Sequence, residues 1–185
     1  MTLSIIASTL SPVSTKASYS ELNSDFSQSV LPTHTFATAP ALDVLIVPGG
    51  MGTRSADIGP AIDFIRNTYP SLQYLITVCT GAGLAARAGV LDGKRATTNK
   101  EAWARTTALG PNVSWIAKAR WVADGKVWTS AGGSAGIDAT FAWMEEVFGG
   151  EVAGTVADDL EYERHLDSTW DPFSGKYGLT GSESR

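Results

Sequence analysis

Two apolar segments, each followed by a sharp turn, constrain the fold of this 185-residue chain more than any other feature. Residues 42–47 (LDVLIV) end at a Pro-Gly-Gly turn, and residues 72–78 (LQYLITV) run directly into Cys79. Apolar runs of this length predict strands that are buried on both faces, as in a parallel sheet. Between them, Gly59-Pro60 and apolar residues at helical spacing predict a helix with proline in its first turn.

The remaining sequence continues this alternation of strand and helix. Further strands are predicted over residues 3–8, 33–38 and 95–98, and further helices over residues 80–89, 100–109, 134–148 and 151–163. Residues 113–130 alternate polar and apolar side chains about Asp124-Gly125, which predicts a β-hairpin. Because strand–helix–strand units cross over with one hand, the sequence predicts an α/β fold with a mostly parallel sheet and helices on both faces.

The last two predicted helices carry apolar residues at helical spacing. In the helix over residues 134–148, Ser134 is placed to cap the first turn, and one face is predicted to hold Ile137, Phe141, Met144 and Val147. In the helix over residues 151–163, the corresponding positions are Val152, Val156 and Leu160. These faces are expected to pack against the rest of the protein.

The composition predicts one globular domain over residues 1–173 and a flexible polar tail over residues 174–185. The net charge is −5, and the sequence has no cluster of Lys and Arg, so nucleic-acid binding is not expected. No apolar stretch approaches the roughly 18 residues that a membrane span needs, and no basic segment precedes the apolar start as in a signal peptide. The single cysteine excludes an intrachain disulfide and a multi-thiolate metal site, and a chain without disulfides is expected in the cytoplasm.

The turns that follow the two buried strands are the candidate site. In an open parallel sheet, ligands bind at the carboxyl ends of the strands, where residues 48–50 (PGG) and 78–81 (VCTG) are predicted to lie. A nucleophile on a sharp strand-to-helix turn is held exposed, and the start of a helix favours a thiolate at Cys79. The N–H groups of Thr80 and of the Gly49-Gly50 turn are candidates for stabilising a developing anion. The alternative is that Cys79 is a small buried apolar residue without reactivity.

Three ordered segments carry a resemblance to a known family: residues 47–50 (VPGG), residues 76–100 (ITVCTGAGLAARAGVLDGKRATTNK) and residues 127–138 (VWTSAGGSAGID). Together they resemble the ThiJ/PfpI family, which includes the parkinsonism-associated deglycase-like proteins and has the class I glutamine-amidotransferase-like fold. The isonitrile hydratase branch is the most similar. The resemblance implies a flavodoxin-like three-layer sandwich, a homodimer, a small-molecule substrate and no cofactor.

The resemblance also implies roles for particular residues. Cys79 would be the nucleophile, on the sharp strand-to-helix turn known as a nucleophile elbow. The backbone N–H groups of Gly50 and Thr80 would bind the developing anion. Ser134 would line the pocket. Supporting roles would fall to Gly49, Gly81, Asn99 and Asp138, although a charge in the first turn of a helix is an equally ordinary reading of Asp138.

The sequence departs from the family pattern in two places. Many relatives carry histidine where this chain has Asn99, which cannot shuttle a proton at neutral pH. Relatives normally begin with a further strand and a loop bearing an Asp or Glu beside the cysteine, whereas this chain starts at what corresponds to their second strand. Without that acid, the thiolate would form but lack a proton donor for turnover.

The function that the resemblance implies is hydration of an isocyanide to an N-substituted formamide through Cys79. The alternatives are a redox-sensing or stress-response protein that uses oxidation of Cys79, a glyoxalase-like or deglycase-like enzyme, and a catalytically inactive homologue. The two histidines, His34 and His165, are expected at the surface. No metal site is expected, because the acidic pairs at residues 145–146 and 158–159 have no histidine or cysteine beside them.

Overall fold

A computed structural model of the protein describes residues 1–15 and 27–179. The strands within these residues are Ile6–Ala7 (β1), Val13–Ser14 (β2), Ser29–Val30 (β3), His34–Thr35 (β4), Val44–Val47 (β5), Tyr74–Val78 (β6), Arg95–Ala96 (β7), Ser114–Trp115 (β8), Trp121–Asp124 (β9) and Val127–Ser130 (β10). The helices are Gly59–Thr68 (α1), Gly81–Arg87 (α2), Trp103–Thr107 (α3), Gly133–Phe148 (α4), Gly150–Asp159 (α5) and Pro172–Lys176 (α6). Short 3-10 turns span Met51–Arg54 and Tyr69–Ser71.

The main sheet has four strands in the order β5-β6-β10-β9. Strands β5, β6 and β10 are parallel, and β9 joins β10 as an antiparallel hairpin. Helices α1 and α2 cover one face of this sheet and share a core with Leu75 and Val127. On the other face, α4 packs through Ala139 against Ile76 and Trp128. The structure therefore has the mixed α/β architecture, with helices on both faces, that the alternation of strand and helix predicts.

Strand β5 is less buried than its sequence suggests. The prediction of a strand buried on both faces is wrong for Ile46, which is 52% exposed, although Val47 is buried. The reason is that β5 lies at the edge of the sheet, while α4 lies over β6, β9 and β10. Whether both faces of a strand are buried depends on the elements that pack over it. The sequence of the strand alone does not contain that information.

The predicted hairpin is confirmed over the second half of residues 113–130. Strands β9 and β10 pair Asp124 with Val127, and Gly125 in the connection has a φ of 59°, which glycine adopts without strain. The first half of the segment behaves differently, because β8 pairs in parallel with β7. Two further short pairs, β1 with β4 and β2 with β3, lie outside the main sheet.

Helix α4 forms where a helix is predicted, and the predicted inward face is confirmed in part: Phe141 is buried and Met144 packs beside it. Ile137 and Val147 are exposed, whereas Asp138, Ala139 and Phe141 are buried. Small residues allow the helix to approach the sheet closely, since a Cβ atom added at Gly136 would lie 2.8 Å from a methyl carbon of Val78. The predicted cap is also wrong: the helix begins after Gly132 without a side-chain cap, and Ser134 lies within it.

Helix α5 likewise turns its smaller residues inward. Ala153 and Ala157 are buried against Phe141, while Val152 and Leu160 are exposed. The expectation that the larger aliphatic residues of this helix face the core is therefore wrong for these two. Close packing of α5 on α4 favours alanine at the contact.

The end of the described chain contains a short helix, α6. Asp171 caps it by accepting the Phe173 N–H at 2.9 Å, and Ser174 is buried. This differs from the flexible tail predicted from residue 174, and residues 180–185 of that segment lie outside the described residues. None of the described helices is long and apolar enough to cross a membrane.

Candidate active site

Cys79 lies at the carboxyl end of β6 in an unusual backbone conformation. Its φ is 57°, in the left-handed region that costs a residue with a Cβ atom about 1–2 kcal/mol. Its N–H donates to the Ser130 carbonyl at 3.1 Å, and its own carbonyl accepts the Thr98 hydroxyl at 2.9 Å. The residue is partly exposed. Surrounding hydrogen bonds thus hold a strained cysteine on a strand-to-helix turn.

Two glycines make room for this turn. A Cβ atom added at Gly49 would lie 2.7 Å from the Cys79 Cβ atom and from the Thr80 nitrogen. A Cβ atom at Gly81 would overlap the Val47 carbonyl oxygen. The loop after β5 and the turn after β6 therefore pack backbone against backbone, which only glycine permits at these two positions. The structure brings Gly49 and Gly81 to the cysteine, where the sequence places them.

The Thr80 hydroxyl joins the two loops. It accepts the Gly50 N–H at 2.9 Å and the Thr53 hydroxyl at 3.2 Å. The Gly50 N–H thus already has an acceptor in this structure. By contrast, the Thr80 backbone N–H donates no hydrogen bond within the part of the chain that the structure describes. The Thr80 N–H therefore has free donor capacity at this turn.

Asn99 and Ser134 lie on neighbouring elements. The Asn99 Oδ1 atom accepts the Ala102 N–H at 3.0 Å, so this side chain organises the turn that leads into α3. Ser134 is exposed in the first turn of α4. Neither side chain hydrogen-bonds Cys79, and the Cys79 Sγ atom makes no hydrogen bond within residues 1–15 and 27–179.

Asp138 has a structural environment. Its side chain is buried, and the Arg120 guanidinium pairs with it through Nε at 2.7 Å and a terminal nitrogen at 2.6 Å. It also accepts the Tyr162 hydroxyl at 2.9 Å and the His165 N–H at 3.0 Å. Burial, followed by the hydrogen bond to Asp138, raises the pKa of Tyr162 above its usual value. Asp138 therefore fastens the segment after α5 to α4.

Lys100 is a buried charge that the sequence does not reveal. Its ammonium group donates to the Thr97 hydroxyl at 2.7 Å and to the Ala119 carbonyl at 3.0 Å, and it pairs with Asp171 at 3.3 Å. Burial lowers the pKa of Lys100 to about 8, against the opposing effect of Asp171. A lysine in a polar segment usually indicates a solvated surface, so no local pattern would identify it.

Both histidines contact neighbouring side chains. His165 has a half-exposed ring stacked on Trp170 at 4.4 Å, and the His34 ring is partly buried and hydrogen-bonded to the Thr33 hydroxyl. Within the described residues, no three His, Cys, Asp or Glu side chains are grouped to hold a metal ion.

A groove of about 690 Å³ lies away from the cysteine. Leu42 and Ser71, which precede β5 and β6, line it together with Phe36 and Phe64. It therefore lies near the amino ends of the parallel strands, opposite the Cys79 turn. Cys79 itself lies on a partly exposed turn that packs against the loop after β5.

The sheet order, the helices on both faces and the cysteine turn after the second parallel strand define a flavodoxin-like α/β protein with the class I glutamine-amidotransferase-like fold. The family model described as the DJ-1/PfpI family matches residues 6–147. The chain belongs to the DJ-1/PfpI family, as the resemblance predicts.

Similar proteins include enzymes and regulators. An isonitrile hydratase from Pseudomonas putida is 39% identical over 137 residues, covering 71% of this chain and 57% of the hydratase. The HTH-type transcriptional regulator GbdR from Pseudomonas aeruginosa is 30% identical over 126 residues, covering 68% of this chain and 34% of the regulator. The chain thus spans little more than half of the first protein and about a third of the second.

Solved structures show the same fold. A ThiJ/PfpI family protein from Pseudomonas syringae superposes with a TM-score of 0.70 at 27% identity, covering 88% of this chain and 63% of that one. DJ-1 from Schizosaccharomyces pombe superposes with a TM-score of 0.59 at 15% identity, covering 74% and 75%. The second likeness concerns the fold alone.

Proposed function

We propose that this protein hydrates an isonitrile to an N-substituted formamide, with Cys79 as the nucleophile. The observation that carries the proposal is the left-handed conformation of Cys79 at the carboxyl end of β6, where the thiol is partly exposed. Strain of this kind at a strand-to-helix turn is typical of a nucleophile that must be held in the open. The 39% identity to an isonitrile hydratase supports the choice of substrate.

The proposed reaction adds one water molecule across the isonitrile carbon and nitrogen. The Cys79 thiolate attacks the terminal carbon, and that carbon takes a proton from water, which gives a thioimidate and hydroxide. Hydroxide adds to the same carbon. The carbon–sulfur bond then breaks, the hydroxyl proton passes to nitrogen as the carbonyl forms, and the thiolate is regenerated.

The Thr80 backbone N–H is the proposed donor to negative charge that develops during these steps. Its free donor capacity supports this role, while the Gly50 N–H would contribute only if the Thr80 hydroxyl turned away. We propose Gly49 and Gly81 as the residues that allow the turn, and Ser134 as part of the substrate pocket. The enzyme is proposed to act as a homodimer.

Turnover of cyclohexyl isocyanide tests this function. The wild-type protein is expected to form N-cyclohexylformamide, measured by chromatography, and Cys79→Ala is expected to form none above the rate in buffer. Ser134→Ala is expected to retain measurable turnover, because its side chain would contact substrate without taking part in bond formation. Equal turnover by wild type and Cys79→Ala would contradict the proposal.

A second candidate is reversible oxidation of Cys79. It is favoured by a specific observation: within the described residues, no carboxylate or imidazole hydrogen-bonds the Cys79 sulfur. A sensor is expected to form sulfenate at Cys79 in mild peroxide and to recover with thiol. Mass spectrometry of the peroxide-treated protein separates the candidates, because a sensor would show graded oxidation together with negligible formamide production.

A further inference from the structure

Thr98 contacts the strained turn through a single hydrogen bond. Its side chain is buried, with 0% exposure, and its hydroxyl donates to the Cys79 carbonyl oxygen at 2.9 Å. From the sheet side, the Ser130 carbonyl accepts the Cys79 N–H at 3.1 Å. Both backbone polar groups of the cysteine therefore have partners, and the carbonyl also accepts the Ala82 N–H of α2 at the longer distance of 3.4 Å. A change of φ at Cys79 would break at least one of these contacts.

The residue before Thr98 is fixed on two further elements. The Thr97 N–H donates to the Thr129 hydroxyl of β10 at 2.9 Å, and the Thr97 hydroxyl donates to the Ile116 carbonyl at 2.8 Å. Like Thr98, Thr97 is fully buried. The backbone that carries Thr98 is thus bound to the central sheet and to the loop after β8.

Lys100 fixes the other end of the same segment. Its ammonium group bonds Thr97 Oγ1 and the Ala119 carbonyl, and it pairs with Asp171 at the start of α6. The Lys100 side chain is almost completely buried. A buried cation with this number of partners is costly to move, because each partner would lose its contact.

We propose that Thr98 is a positioning residue for Cys79, whose hydroxyl holds the cysteine backbone in the left-handed conformation that presents the thiol. Thr97 and Lys100 hold Thr98 in place. This inference rests on the proposed function only in taking Cys79 as the reactive group. Without the Thr98 hydroxyl, the backbone of Cys79 would relax toward the conformations that residues with a Cβ atom prefer, and the sulfur would move.

The test uses the rate of alkylation by iodoacetamide, measured from pH 5 to 9 by intact mass spectrometry. Because the chain has one cysteine, every alkylated molecule reports on Cys79. Thr98→Val, which keeps the shape and removes the hydroxyl, is expected to slow alkylation at neutral pH at least fivefold and to shift the pH profile. Thr98→Ser keeps the hydroxyl and is expected to stay within twofold of wild type.

A matched control removes a hydroxyl–carbonyl bond elsewhere. The Thr107 hydroxyl donates to the Trp103 carbonyl at 3.0 Å inside α3, and Thr107→Val is expected to alkylate at the wild-type rate. If Thr98→Val does not fold, Thr98→Ala removes the same donor without added bulk. A folded Thr98→Val or Thr98→Ala protein with the wild-type pH profile would overturn the inference.

The same measurement distinguishes this inference from the proposed function. If wild-type Cys79 reacts no faster than glutathione at neutral pH, the nucleophile itself is refuted and Thr98 has nothing to position. If the wild-type thiol is fast and the Thr98 variants are equally fast, the nucleophile stands and only the positioning role is refuted.

Discussion

At the scale of single residues, the site depends on glycines that let the backbones of two loops approach each other closely. Cys79 adopts a conformation that its own side chain disfavours, and it does so because Gly49 and Gly81 let two loops approach within contact distance. The strand, the cysteine and the small residues around it are visible in the sequence as VPGG and VCTG. The Thr98 contact is not, because Thr98 follows β7 and Cys79 follows β6, and these two strands belong to different sheets.

Gly49→Ala tests the close approach of the loops. The added methyl group would lie 2.7 Å from the Cys79 Cβ atom, so we expect a loss of about 1–3 kcal/mol in the free energy of unfolding and slower alkylation of Cys79. Gly52→Ala is the matched control, because nothing lies within 4 Å of its added Cβ atom. Urea denaturation measures the free energy of unfolding of both variants. Equal stability of the two would show that the loops can accommodate a methyl group at residue 49.

At the scale of elements, buried charges connect parts of the chain that are distant in sequence. Lys100 and Asp171 join the segment before α3 to the start of α6. Removing one partner of a buried pair leaves an uncompensated charge, whereas replacing both is tolerated far better. The Lys100–Asp171 pair was not predictable from sequence, because hydrophobic periodicity indicates the structure of one segment and not its contacts with a distant one.

Lys100→Met is expected to lower the free energy of unfolding by about 3 kcal/mol, because it strands the Asp171 carboxylate in the interior. The double variant Lys100→Met/Asp171→Asn is expected to recover most of that loss. Denaturant titrations of the wild type, the two single variants and the double variant measure the coupling. A double variant as unstable as the sum of the single ones would mean that the two residues do not interact.

The protonation of Lys100 gives stability a characteristic pH dependence. Burial lowers the pKa of Lys100 from 10.5 to about 8, so between these values the unfolded chain binds more protons than the folded one. The contribution of Lys100 to stability is therefore complete above pH 10.5 and lost as the pH falls through 8. The difference in unfolding free energy between wild type and Lys100→Met should rise from pH 8 to 10 by at most about 1.4 kcal/mol per pH unit. A flat difference would place the Lys100 pKa at its ordinary value.

At the scale of the whole molecule, the alternation of strand and helix was sufficient to predict the layers and the position of the cysteine. It did not predict the exposure of Ile46, since that depends on β5 lying at the edge of the sheet. It predicted Phe141 on the inward face of α4 but not Asp138, whose buried charge is paired with Arg120. The part of the candidate site that one segment forms, the turn at Cys79, was thus predictable from sequence. The contacts between distant segments, such as that of Thr98 with Cys79, were not.

Asp138 holds the segment after α5 to the body of the protein. Asp138→Ala would leave Arg120 buried without its partner and free Tyr162 and His165, so we expect a loss of about 3–5 kcal/mol. Limited proteolysis should then cut within residues 160–170, which contain Arg164, before the wild type is cut there. Glu145→Gln, which removes an exposed partner of Arg164, is the control and is expected to cost less than about 1 kcal/mol.

The central claim, that Cys79 forms a covalent bond with the reacting carbon, is tested most directly by rapid-quench mass spectrometry during turnover of cyclohexyl isocyanide. The account predicts an adduct of one whole isocyanide molecule on the peptide that contains Cys79. The adduct should appear before the formamide and be absent in Cys79→Ala. Formamide production without any adduct on Cys79, at a rate that Cys79→Ala shares, would contradict it.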